Sequence, residues 1–165
     1  GQAVRKGLVL YRDIHDNKPP LLYLIAALAG NFQVYRLIYF FWSFATLFVF
    51  YKLARLLFAK NQKATLLSTG VFAILTSLPT FEGNIANAEN FMLLPTLGAF
   101  LLILQTIKKN SLSQNTAKTW FLAGLLFSLA TLFKVPAIFD FVTAIVFCFL
   151  MINKKNLKSL ILKRI

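Results

Sequence analysis

The sequence predicts an all-α, polytopic transmembrane helix bundle with a juxtamembrane helix on its extracytoplasmic side. Three observations carry that reading. Apolar residues make up 58% of the 165-residue chain, 18 of them Phe, and mean hydropathy is +0.69, more apolar surface than a soluble core of this size can hide. The apolar runs are separated by short basic clusters, the pattern of cytoplasmic loops in membrane proteins. The charges also sort by side. All five carboxylates (Asp13, Asp16, Glu82, Glu89 and Asp140) fall at one end of the implied stack of spans, and twelve of the eighteen Lys and Arg residues fall at the other.

Residues 1–33 read as the first extracytoplasmic loop with its juxtamembrane helix. Gly1 to Pro20 is polar and carries Arg5, Lys6, Arg12, Asp13, His15, Asp16 and Lys18. Pro20 to Gly30 is apolar but about half as long as the roughly 20 residues a span needs, which suits an interfacial or re-entrant helix. Pro20 suits the first turn, where its missing N–H would be unpaired anyway, and Gly30-Asn31 stops the helix. Five spans follow over residues 34–153. The first, 34–58, has Arg36 at one end and Lys52 and Arg55 at the other. The second, 64–81, is uncharged. The third, 90–107, follows the polar loop Glu82 to Asn90. The fourth, 119–133, runs to Lys134, and the fifth, 136–153, has Asp140 in its first turn. Residues 154–165 form a basic cytoplasmic segment. Several runs fall short of about 20 residues, so their ends must reach into polar flanks or neighbouring protein.

Alternation of five spans puts 52–63, 108–118 and 154–165 on one face, with Lys52, Arg55, Lys60, Lys63, Lys108, Lys109, Lys118, Lys154, Lys155, Lys158, Lys163 and Arg164. The positive-inside rule makes that face cytoplasmic and predicts a multi-pass protein of the plasma membrane. The N-terminal loop, the Glu82–Asn90 loop and the 134–140 corner are then extracytoplasmic. Counting Pro20–Gly30 as a full span would move all twelve charges outside, so the rule argues against it. The net charge of +13 is dispersed in these clusters, which argues against nucleic acid as a partner. Cys148 lies inside an apolar run, so the sequence offers neither a disulfide framework nor a Cys-based metal site. Tyr35, Tyr39, Tyr51 and Trp120 crowd the span boundaries and read as interfacial anchors. The chain opens on Gly1 without a signal-peptide layout and reads as a piece of a longer protein.

The densest local signal is the stretch Leu10-Tyr11-Arg12-Asp13-Ile14-His15-Asp16-Asn17-Lys18-Pro19-Pro20-Leu21-Leu22-Tyr23. It packs two carboxylates, an imidazole and two cations directly before a Pro-Pro that opens an apolar helix. A cation at the membrane surface beside a helix N-terminus suits a phosphate, because free N–H groups and the helix dipole both favour negative charge there. An ordinary solvated juxtamembrane loop would carry the same charges. Glu89 sits at the mouth of an apolar span, where a carboxylate costs energy unless paired or wetted by a cavity. It reads as a functional candidate or as a tie to Lys18, Arg36 or Lys134 that fastens helices together. Asp140 and Lys134, six positions apart across Pro136, are placed to pair. His15 alone makes a poor metal site.

These motifs, in this order, resemble the GT-C glycosyltransferases, in the branch of dolichyl-phosphate-mannose–protein mannosyltransferases and their bacterial relatives, which include the lipid A aminoarabinose transferases. Lys18-Pro19-Pro20, preceded by Tyr11-Arg12-Asp13, resembles the start of that family's juxtamembrane helix. Tyr35-Arg36 opens the next span, Asn87-Ala88-Glu89 precedes Phe91-Met92, and Gly124 to Lys134 resembles the family's Gly-rich span ending in Lys. The resemblance implies a bacterial integral-membrane glycosyltransferase that moves a sugar, with inversion, from a polyprenyl-phosphate-linked donor to an extracytoplasmic glycan, lipid or protein acceptor. It implies Lys18 as the donor-phosphate ligand, Arg36 and Lys134 as helpers, and Asp13, Asp16 and Glu89 as candidate catalytic carboxylates. The family's usual acidic motif ends its first span, and this chain starts after that point. The general base is therefore expected upstream of residue 1, and the fragment is expected to be inactive alone. Asp13 and Asp16 with a lipid phosphate could hold a divalent metal ion, but no spacing requires one and no metal site is assigned. The competing class is a transporter or flippase module with a charged outer vestibule. Charges gathered at the surface rather than the bilayer midplane favour surface chemistry. A non-catalytic scaffold would show no convergence among Lys18, Arg36, Glu89 and Lys134.

Overall fold

The computed structural model describes residues 1–59, 61–109 and 115–162; Lys60, residues 110–114, and Lys163 and Arg164 of the basic segment lie outside them. Among the described residues the chain is all-α, with seven helices, one 3-10 turn and no strand. They are α1 (Gln2–Arg5), α2 (Leu21–Ala29), α3 (Phe32–Leu57), α4 (Gln62–Leu75), a 3-10 turn (Pro79–Phe81), α5 (Ala88–Lys109), α6 (Asn115–Phe133) and α7 (Ala137–Leu162). From α3 onward the helices alternate in direction. Phe50 stacks on Phe72, Trp42 meets Phe91, and Phe91 stacks on Phe133. The starts of α3, α5 and α7 and the ends of α4 and α6 therefore share one end of the bundle, where the carboxylates lie. That is the acidic end, and the opposite one is the basic end.

α5 is the hub. It packs on α3, α6 and α7, while α4 packs on α3 and α2 bridges α3 and α6. Its interior is built from small side chains: Ala99, Ala123 and Ala144 sit with Ile103 and Phe127 in one buried cluster, and Ala54, Ala88, Ala130 and Ala137 are also buried. Phe91, Phe127 and Phe133 are the buried rings, and many other large side chains point outward, among them Phe41, Phe44, Phe48, Phe121, Phe139 and Phe149. A soluble bundle buries its aromatics. Lipid offers no hydrophobic drive between helices, so a membrane bundle puts small residues where backbones meet and leaves bulky ones to the acyl chains. α3 and α5 are long and apolar enough to cross a membrane, and Ala117–Phe133 and Ala137–Met151 are shorter apolar stretches.

The element boundaries differ from the sequence reading where side chains cap or break the backbone. Pro20 is the N-cap of α2 rather than part of its first turn, and Gly30 ends that helix with a positive φ of 76°. Asn31 both stops α2 and starts α3: its side chain accepts from the Val34 N–H at 2.8 Å, so the helix begins at Phe32 instead of 34. α4 is the largest departure. It covers 14 residues, not 64–81, about 21 Å of helix against a hydrocarbon core of roughly 30 Å. Pro79 forces Leu78 out of the helical region (ψ 133°), and the chain turns into the 3-10 segment. α7 runs beyond 153 as one helix to Leu162. At the basic end the Lys108 ammonium donates to the Leu56 carbonyl in the last turn of α3, where a cation meets free carbonyls and the negative end of the helix dipole.

α5 contains a buried proline, Pro95. A proline inside a helix removes the N–H that would bond to the carbonyl four residues earlier, here that of Phe91. The Trp42 indole N–H supplies the missing donor to the Phe91 carbonyl at 3.0 Å. A neighbouring helix thus satisfies the group that the proline freed, as membrane helices require.

Candidate functional site

Two loops build the acidic end. In the N-terminal loop, Asp13 accepts from the Val9 N–H at 2.8 Å and from the Arg12 guanidinium at 2.9 Å. Arg12 first, then Val9, holds the Asp13 carboxyl below its ordinary value. Tyr11 adopts a left-handed φ of 69°, and its hydroxyl donates to the Lys18 carbonyl at 2.7 Å. Asp16 accepts from the Lys18 N–H at 3.3 Å. The Tyr23 hydroxyl is buried without a hydrogen-bond partner, yet it lies near enough to Asp16 for the two to act on each other. The phenol is the main cause that lowers the Asp16 pKa, while burial first and Asp16 second raise that of Tyr23.

The second loop, between α4 and α5, is fastened from α3. Tyr35, Tyr39 and Trp42 recur at i, i+4 and i+7, which places them on one helical face. Their polar atoms donate to the carbonyls of Ala86 (2.7 Å), Gly83 (2.6 Å) and Phe91 (3.0 Å), and all three rings pack on Phe91. Tyr35 and Tyr39 are thus struts across the bundle, which departs from their reading as interfacial anchors. Asn87 caps α5 by accepting from the Asn90 N–H, and Asn90 donates its amide to the carbonyls of Glu82 and Ile85. Gly83 is obligatory here: a Cβ would sit 2.2 Å from the Thr76 carbonyl oxygen. The Glu82 carboxylate accepts from the Asn87 amide at 3.0 Å.

This anchoring sets Glu89 in the first turn of α5 opposite Lys134 at the end of α6, and the two form an ion pair. The Lys18 ammonium is close enough to act on the same carboxylate. Lys134 is thus the direct partner of the carboxylate, and Lys18 acts on it from beyond ion-pair distance. Lys134 pairs with Glu89 and not with Asp140, its expected partner across Pro136. Arg36 stands apart from this trio. It rests over the Phe32 ring at 5.7 Å, has no carboxylate partner among the described residues, and lines a cleft of about 710 Å³ between α3, α4 and α5. The cleft is walled by Phe40, Phe44, Leu47 and Phe72, and its polar rim includes Asn84 and Asn90. Lys18, Glu89 and Lys134 do not line it, although Asn90 directly follows Glu89. Asp13 and Asp16 are likewise separate, each engaged within the N-terminal loop. No three His, Cys, Asp or Glu side chains gather for a metal among the described residues, and Arg12 and Val9 already occupy both oxygens of Asp13.

The profile of the dolichyl-phosphate-mannose-protein mannosyltransferase family matches residues 17–164. The chain belongs to that family. The mannosyltransferase profile covers Lys18, Arg36, Glu89 and Lys134 and leaves Asp13 and Asp16 outside. Membership makes the chain part of a membrane glycosyltransferase of the GT-C type. No curated protein and no solved structure matches it.

The struts Tyr35, Tyr39 and Trp42 and the obligatory Gly83 were missed in the sequence. The i, i+4, i+7 spacing of polar aromatics on an otherwise apolar helix is the available signal; Tyr35 and Tyr39 read instead as interfacial anchors, and Trp42 carried no reading. Gly83 offered no signal, since only the position of Thr76 across the turn makes it necessary.

Proposed function

We propose that the chain is part of a multi-pass plasma-membrane enzyme, bacterial in type, that transfers a sugar with inversion from a polyprenyl-phosphate donor to an extracytoplasmic glycan, lipid or protein acceptor. One observation carries the reading: cations from three separate elements, Lys18, Arg36 and Lys134, lie at the same end of the bundle as the rim of an apolar cleft. An isoprenoid chain suits the aromatic wall of α3 and α4, with Arg36 at the cleft itself and Lys18 and Lys134 beyond it at the same end of the bundle. Lys18 and Lys134 would neutralise the charge that develops on the leaving phosphate, and Arg36 would steer the head group from the cleft side. Asp13 and Asp16, in the N-terminal loop, are the candidates to assist the acceptor, and Glu89 stands nearest the cations. A transporter would place charges at mid-helix. In α3 to α7 the described charged side chains lie toward the helix ends, which supports surface chemistry.

The test is turnover of a polyprenyl-phosphate sugar by the full-length protein in liposomes. Lys18→Ala is expected to cut kcat/KM about tenfold or more, and Arg36→Ala to raise KM for long-chain donors more than for short-chain ones. Normal turnover in both variants would remove the assignment. Accessibility tags at Asn17 and Asn87 should report the same, extracytoplasmic side; opposite sides would end the reading at once.

A further inference from the structure

Glu89 occupies a position that an anionic substrate would want. Its carboxylate pairs with the Lys134 ammonium, and Lys18 acts on it from the N-terminal loop. Nearly half of the Glu89 side chain and about a third of that of Lys134 are exposed, 48% and 35%, so the pair is open to exchange with an incoming anion. An ion pair that accessible contributes on the order of 1 kcal/mol or less, which makes exchange cheap.

We propose that Glu89 is a competing anion that expels the product phosphate from Lys134. The inference rests on reading the acidic end as a lipid-phosphate site. In the transfer, the bond from the anomeric carbon to the phosphate oxygen breaks, a bond from that carbon to the acceptor oxygen forms, and the acceptor proton leaves to a base or water. The donor is a phosphodiester with one negative charge. The product is a phosphate monoester carrying about 1.5 to 2 negative charges at neutral pH. Two ammonium groups therefore hold the product more tightly than the donor, and turnover would stall on it. A carboxylate tethered to rigid α5 beside Lys134 returns to it as the product loosens. Being present at a fixed local concentration, it discriminates against the bound state of the lipid phosphate. The rest of the acidic end keeps Glu89 in range: Asn87 caps its helix, and the struts Tyr35 and Tyr39 fix the preceding loop.

The test uses the full-length protein in nanodiscs, with a sugar-free polyprenyl phosphate as the binding probe and the sugar-loaded donor for kinetics. Glu89→Gln is expected to bind the polyprenyl phosphate about fivefold more tightly. It should show a normal first turnover, then a steady state slowed by product release. Glu82→Gln, which alters a carboxylate held by the Asn87 amide instead of a cation, should change neither quantity. In a Lys134→Ala background the Glu89→Gln gain should shrink. A slowed first turnover with unchanged product affinity would make Glu89 a proton acceptor and overturn the proposal. If Lys18→Ala and Lys134→Ala weaken phosphate binding while Glu89→Gln leaves it unchanged, exchange alone is wrong. If neither Lys variant weakens binding, the lipid-phosphate reading falls and takes exchange with it.

Discussion

The two loops at the acidic end are held in opposite ways. The loop between α4 and α5 is tied to a distant helix: its carbonyls take hydrogen bonds from Tyr35 and Tyr39, 51 and 44 positions away in sequence. The N-terminal loop bonds to itself, through Val9 to Asp13, Tyr11 to Lys18 and Lys18 to Asp16, none spanning more than seven positions. Long-range ties make the first loop part of the scaffold, so it opens only when the bundle does. Local ties let the second form as a unit and move as a unit, with Lys18 at its far end. The proposed chemistry calls for that division: Glu89 is fixed, and Lys18 is carried on something that can adjust around a head group.

The scaffold side of the comparison is broken most directly at Gly83. Gly83→Ala places a methyl group 2.2 Å from the Thr76 oxygen and is expected to cost about 3 kcal/mol. The measurement is thermal unfolding in detergent, and an unchanged Tm would show that the α4–α5 loop is not pinned. Trp42→Phe leaves the Phe91 carbonyl without its donor and should cost about 2 kcal/mol. Adding Pro95→Ala restores a backbone N–H to that carbonyl, so the double variant should recover part of the loss. Strict additivity of the two changes would refute the repair at Pro95.

Smaller effects are expected on the N-terminal side. Tyr11→Phe removes one exposed hydrogen bond worth about 1 kcal/mol, so amide exchange should quicken across residues 9–18 while global Tm stays level. The pH dependence comes from Asp13, whose carboxyl is held below its ordinary value by Arg12 and the Val9 N–H. A depressed folded pKa contributes stability above the unfolded value and loses it as pH falls through the folded one. Protection of the Val9 N–H should thus persist at neutral pH and vanish on acidification below the ordinary carboxylate range. Asp13→Ala, which removes the acceptor, should abolish it at every pH. Protection that ignores acid would mean the loop is held by something else.

Much of the bundle was legible in advance because lipid imposes a coarse rule: long uncharged runs become helices, and charges mark their ends. The order of the helices and the acidic and basic ends follow from that rule; it leaves open which cation Glu89 meets, and it placed Lys134 beside Asp140 instead. It says little about where a helix stops short of its apolar run. The uncharged run continues to Phe81, yet α4 ends at Leu75, and the ring of Pro79 holds Leu78 out of the helical region. It is equally silent on faces. Arg36 and Tyr35 are adjacent in sequence, yet a rotation of about 100° per residue sends one to the cleft and the other to the α5 loop, and no count of charges separates them. The Asn31 and Asn87 caps were readable as residue types, but their effect on boundaries depends on backbone angles outside the helical range.

The indole bond from Trp42 to the Phe91 carbonyl welds α3 and α5 into a single wall of the cleft. α4, the opposite wall, is short and leans chiefly on α3. Widening the cavity for a bulky chain is therefore expected to displace α4 before it displaces the joined pair.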